Sequence, residues 1–272
     1  MKLETYNKRL LAILGSVAVI FLLIALFSFL VYTINDMRRN NYPEETGILS
    51  DEKIEELQRK QKRQQVISYN TPKLVDTVNS IYMIPVSHKN LEEEEDINSG
   101  LLKAMASSSD YYENEDERYS ANFYGKFNNL LLYDAKSQTT NKLFEKRINF
   151  NNIRTEYFED DILILIQASN SDTYKDGVIN LQDLSSLYVY SFAQNELKTI
   201  SQSGMDAYQY DFLYNTKDLI LSFGIDKNED GRYTEFNEPT RIKKYNFETG
   251  VLNDLIDKTL SEELQNTLEG SK

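Results

Sequence analysis

The feature that most constrains this chain is a pattern written twice between Asp160 and Leu252. The first copy runs Asp160-Asp161-Ile162-Leu163-Ile164-Leu165-Ile166, then Asp172-x-Tyr174-x-Asp176-Gly177-x-Ile179-x-x-x-Asp183, then Leu187-Tyr188-Val189-Tyr190. The second runs Lys217-Asp218-Leu219-Ile220-Leu221-Ser222-Phe223, then Asp226-x-Asn228-x-Asp230-Gly231-x-Tyr233, and after Glu238 continues Arg241-Ile242-Lys243-Lys244-Tyr245. Each copy reads as an apolar strand, an acidic loop turning on Asp-Gly, and an aromatic return strand. The expectation is therefore a mainly β fold built from repeated units.

A third member is visible in Leu130-Leu131-Leu132-Tyr133-Asp134, closed by Leu143. Aligned with Tyr190 and Tyr245, its tyrosine gives intervals of 57 and 55 residues. A period slightly above 50 with about four short strands per unit is that of propeller blades. The phrases Leu187-Tyr188-Val189-Tyr190 and Tyr245-Asn246-Phe247-Glu248-Thr249-Gly250 resemble the outer-strand hairpins of TolB-like and WD40-like β-propellers, over roughly residues 123–256. The resemblance implies a propeller-like fold, and the chain length at this period gives three to four units, the lower limit of a closed propeller or an incomplete arc. A β-sandwich is the alternative.

Ahead of the repeats, Leu10 to Ile34 is uncharged, which exceeds the ~20 residues a membrane-crossing helix needs. Lys2, Lys8 and Arg9 precede it, giving a small bias towards a cytoplasmic N-terminus. A cleaved signal peptide competes, but the apolar run is long and no small-residue cleavage site follows. The organisation expected is a cytoplasmic N-terminus at 1–9, a single-pass helix at 10–34, a linker and charged juxtamembrane helix at 35–65, an extracytoplasmic β domain at 66–260, and a short helix and tail at 261–272. The juxtamembrane helix has Ser50 as N-cap and reads as a solvated stalk. The location implied is the periplasmic face of a bacterial inner membrane, with the lipid bilayer as one partner.

Residues 66–272 hold 20 basic against 35 acidic side chains, so phosphate backbones would be repelled and nucleic acid is a poor partner. The absence of cysteine excludes thiolate nucleophiles and Cys-based zinc sites. His88 is the one histidine, so a mechanism needing two is excluded as well. No Gly-rich phosphate loop is present, and acidic pairs such as Asp160-Asp161 are expected by chance in so acidic a chain. The expectation is a noncatalytic protein: a scaffold or accessory subunit of an envelope complex, or alternatively a module sensing calcium, glycan or peptide. A membrane-bound hydrolase is the third class. The acidic stretches Glu92 to Asp96 and Ser107 to Glu117 read as exposed loops flanking a short helix at 97–105.

The acidic loops carry the sharpest chemistry. In calcium loops of the EF-hand type, oxygen ligands fall at positions 1, 3, 5, 7, 9 and 12 with Gly at 6, because a hard cation needs six to eight oxygens converging from alternate residues. The first loop places Asp172 at 1, Asp176 at 5, the Val178 carbonyl at 7, Asn180 at 9 and Asp183 at 12. It resembles dockerin loops, which end in Asp, but has Tyr174 at position 3. The second places Asp226, Asn228 and Asp230 at 1, 3 and 5 and the Arg232 carbonyl at 7. Asn237 falls at 12, and a one-residue insertion makes Glu238 the equivalent of Asp183. The cofactor expected is structural Ca2+. The plainer reading is that each Asp-Gly supplies a turn with positive φ.

Overall fold

The computed structural model describes residues 21–22, 47–60, 62, 64–91 and 120–270. The expected membrane span lies outside the described residues except for Phe21 and Leu22, which are helical. Residues 1–9, most of the linker, the acidic runs at 92–96 and 107–117 and the helix expected at 97–105 lie outside them too. Among the described residues no helix is long and apolar enough to cross a membrane.

The unit beginning at Gly47 is mainly β. It opens with β1 (Ile48–Leu49) and α1 (Asp51–Arg59), followed by β2 (Gln65–Tyr69), β3 (Lys73–Asp76), β4 (Ile81–Asn90), β5 (Ser120–Phe127), β6 (Asn129–Asp134) and β7 (Thr139–Lys142). Next come β8 (Phe150–Tyr157), β9 (Ile162–Ala168), β10 (Val178–Ile179), β11 (Ser186–Ser191) and β12 (Glu196–Ile200). The chain ends with β13 (Met205–Phe212), β14 (Leu219–Ile225), β15 (Thr240–Tyr245), β16 (Leu252–Asp254) and α2 (Lys258–Glu269).

Besides the two-stranded β1–β10 pair, the described residues form three larger antiparallel sheets. In the first, β4, β6 and β7 follow one another, and the free edge of β4 is shared by β3 near Met83 and β2 beyond Val86. The second has the order β5-β8-β9-β11-β12 and the third β13-β14-β15-β16. The second sheet is the middle layer. Its strand β9 sends Ile164 and Ile166 into a core shared with Met83 and Leu130 of the first sheet. Leu163 and Leu165 enter a core shared with Leu219, Leu221 and Phe223 of the third. Alternate side chains point to opposite faces of a strand, so Ile162 to Ile166 is unbroken by polar residues because both its faces are covered.

The tyrosine repeat has a structural counterpart. Tyr133, Tyr190 and Tyr245 lie on β6, β11 and β15, each followed by its hairpin partner β7, β12 or β16. The next residue caps the turn in every case: Asp134, Ser191 and Asn246 accept from the N–H three positions on, of Ser137, Gln194 and Thr249. One position later stands a left-handed residue, Gln138, Asn195 or Gly250. One turn geometry is thus reached with three different capping side chains.

Several boundaries differ from expectation. Ser50 does cap α1, but the helix ends at Arg59, earlier than expected. It is no solvated stalk, because Leu57 is buried and the preceding β1 pairs with β10. The folded unit therefore starts at Gly47 rather than at residue 66. Pro85 lies within β4, a strand paired on both sides. Its carbonyl accepts from Asn70, and its missing N–H falls where β2 gives way to β3, so no ladder bond is lost. The C-terminal helix begins at Lys258 with Asp257 as its cap, rather than at Ser261, because the Asp257 carboxylate accepts from Leu260 N–H at 2.9 Å while the Ser261 hydroxyl turns back onto Asp257 O.

Candidate metal-binding loops

Both acidic loops connect the second and third strands of a meander, β9 to β11 and β14 to β15. Their backbones agree in detail. Gly177 and Gly231 at position 6 have φ of 93° and 89°, and Lys175 and Glu229 at position 4 have φ of 60° and 59°. The first acid folds over this turn in both: Asp172 accepts from Asp176 N–H at 3.1 Å and Gly177 N–H at 2.9 Å, and Asp226 from Asp230 N–H at 3.2 Å and Gly231 N–H at 2.9 Å. The acid at position 5 accepts from the N–H two residues on, Asp176 from Val178 at 2.9 Å and Asp230 from Arg232 at 3.1 Å.

The closing acids also correspond. Asp183 accepts from the N–H of Tyr174 at 2.9 Å and of Asn180 at 3.0 Å. Glu238 accepts from Asn228 at 3.3 Å, Thr234 at 2.8 Å and Lys227 at 2.8 Å. Positions 3 and 9 of each loop are thus gathered onto its closing carboxylate, and the longer Glu side chain spans the extra residue. The electrostatic outcome differs. Burial pushes the Asp183 carboxyl above the usual range, against the pull of its backbone donors. For Glu238 the donors, led by Thr234 N–H, outweigh burial and hold the carboxyl low.

The remaining ligand positions divide. Ser50 N–H donates to Gly177 O, which makes that couple the bonded pair of the β1–β10 ladder and Leu49–Val178 the non-bonded one. In such a pair both peptide groups face outward, so the Val178 carbonyl turns away from β1. The Asn180 side-chain oxygen accepts from Gln182 N–H at 2.6 Å, and the Asn228 oxygen from Asp230 N–H at 3.0 Å. Tyr174, the departure at position 3, has its ring 4.5 Å from the Arg232 guanidinium of the other loop. Among the described residues no three His, Cys, Asp or Glu side chains are grouped so as to hold a metal ion as they stand. The acids face backbone N–H groups instead.

Sequence reading treated the loops separately and missed their union. Thr173 donates through its hydroxyl to Gly231 O, and a Cβ on Gly231 would lie 1.9 Å from Thr173 O. The same hydroxyl accepts from Leu184 N–H at 2.9 Å. Tyr233 covers Gly224 so closely that a Cβ there would be 2.2 Å from its ring. No motif marks these contacts; the apolar Ile179 was the one hint that part of the first loop is buried. Compared with known protein families, curated proteins and solved structures, the chain matches none.

Proposed function

We propose that this chain is a membrane-anchored, noncatalytic scaffold or accessory subunit of an envelope complex, its body a three-unit propeller-like arc whose loops are stiffened by calcium. The observation that carries the reading is the pair of joined loops, which share positive φ at positions 4 and 6 and the same carboxylate-to-backbone pattern. Asp172, Asp176, Asp183 and the Val178 carbonyl would supply oxygens in the first, and Asp226, Asn228, Asp230, Glu238 and the Arg232 carbonyl in the second. These are hard donors of the type calcium takes, and Asn180 would have to leave Gln182 to join them. Calcium there is structural: it would bridge strands β9 to β11 and β14 to β15.

The propeller-like reading is supported by the three stacked meanders and by the recurrence of Tyr133, Tyr190 and Tyr245 on the third strand of each. The uncharged run at 10–34 supports the anchor, with the β body extracytoplasmic. Purification of the full chain from membranes in mild detergent tests the role. A second membrane protein that co-purifies in fixed proportion is the expected result, and recovery of this chain by itself contradicts it.

A further inference from the structure

Among the described residues, two apolar surfaces of opposite charge are open to solvent. The first is the outer face of the first sheet. Met83 and Leu130 point into the core, so the cross-strand pairs Tyr82–Tyr133 and Ile84–Leu131 point the other way. On the same face Ile67 and Tyr69 are 60% and 62% exposed. Beside them lies a groove of about 460 Å³, lined among others by Ile48, Ile54, Ile67, Tyr69, Val86 and Phe144. Its charged rim has Lys142, Lys146 and Arg147; Lys142 is ion-paired with Glu145 and Arg147 with Asp51, so the rim keeps a net single positive charge.

The second surface is α2. Leu260, Leu264 and Leu268 recur every fourth residue, form one stripe, and are 45%, 58% and 81% exposed. The helix buries no residue and carries Glu262, Glu263 and Glu269 against one Lys258. Isolated helices of this length are marginal in water, so the stripe calls for a covering surface. Within one molecule no residue of α2 lines this groove.

We propose that this chain pairs with a second copy of itself, α2 of each laying its leucine stripe in the groove of the other. Apolar stripe meets apolar groove, acidic helix meets basic rim, and exchange of the same two surfaces closes a two-fold dimer. The proposal is independent of the metal reading.

The test uses the full chain in mild detergent, with mass from light scattering and thermal unfolding as a control for folding. Wild type is expected as a dimer, and Leu264→Asp or Ile67→Asp, both at exposed positions, as folded monomers. Lys146→Glu is expected to weaken association at least tenfold and Glu263→Lys to restore it. Because the chain has no cysteine, Leu264→Cys and Ile67→Cys preparations can be mixed and treated with a short bismaleimide. Cross-linking is expected in the mixture and not in either variant by itself. A monomeric wild type, a dimer that survives Leu264→Asp, or equal cross-linking in Leu264→Cys alone overturns the proposal.

Discussion

Thr173 donates its side-chain hydroxyl to the backbone carbonyl of Gly231, fastening the second position of one acidic loop to the sixth position of the other. The contact is close because Gly231 has no Cβ; a methyl there would meet the Thr173 carbonyl at 1.9 Å, whereas one at Gly177 would meet nothing within 4 Å. The two glycines share their positive φ and differ in surroundings, which separates two costs that normally come together.

Gly177→Ala therefore incurs only the left-handed backbone strain, about 1–2 kcal/mol. Gly231→Ala adds a steric displacement of the neighbouring loop, another ~1–3 kcal/mol. Urea unfolding of both variants should rank Gly231→Ala as clearly the worse, and equal losses would mean that the loops are not joined.

The middle sheet predicts a loss on each of two faces. Ile164 and Leu165 are adjacent and both fully buried, yet they belong to different cores. Ile164→Ala and Leu165→Ala should each cost roughly 2–5 kcal/mol. If one of them proved near-neutral in denaturant titration, that face of β9 would be uncovered.

Asp206 supplies a pH signature. It is buried, accepts from the Ser185 N–H at 2.7 Å, and burial raises its carboxyl above the usual value despite the Ser185 donors. A raised folded-state value means that its contribution to stability is fully present below the unfolded carboxylate value and is lost as pH rises through the folded one. Asp206→Asn keeps an acceptor for Ser185 and removes the buried charge. The variant should be the more stable near pH 7, with the difference closing below about pH 4. A gap that is constant with pH would show that Asp206 is not desolvated.

Asp218 behaves in the opposite sense. The Lys244 ammonium and the Phe247 N–H at 3.0 Å hold its carboxyl low. Its contribution is present above the unfolded value and disappears as pH falls through the folded one. Asp218→Ala should destabilise at neutral pH by about 1 kcal/mol, from the lost turn bond, and match wild type more closely in acid. Thermal unfolding at several pH values reads both aspartates.

Legibility tracked the range of the interactions. The repeat was readable because each meander writes its own local signal: an apolar strand, a turn residue such as Asn246, and a left-handed residue such as Gly250. The loops were readable for the same reason, since Asp172 and Asp226 act within six residues of themselves. What escaped depends on neighbours distant in sequence. Ile48 and Leu49 carry no strand signature and become a strand because β10, about 130 residues later, offers its edge. Gln65 then ties that segment down by donating to Gly47 O and accepting from Leu49 N–H, both at 3.1 Å. Tyr174 looked like a defective ligand position until its ring was seen against Arg232.

If the two loops take calcium as proposed, the metal stabilises the folded chain. The most direct measurement is the thermal midpoint of the full chain in chelator and in rising Ca2+, with Mg2+ at equal ionic strength as control. At calcium a hundredfold above Kd each loop gains ~2.7 kcal/mol, so the pair should raise the midpoint by roughly 10–20 °C. Asp230→Ala should remove part of that rise and Asp176→Ala with Asp230→Ala all of it, each rise being taken from the variant's own chelator midpoint, which falls with the lost Val178 and Arg232 turn bonds. A midpoint indifferent to calcium, or a rise undiminished in the double variant, would contradict the account and leave Asp176-Gly177 and Asp230-Gly231 as turns.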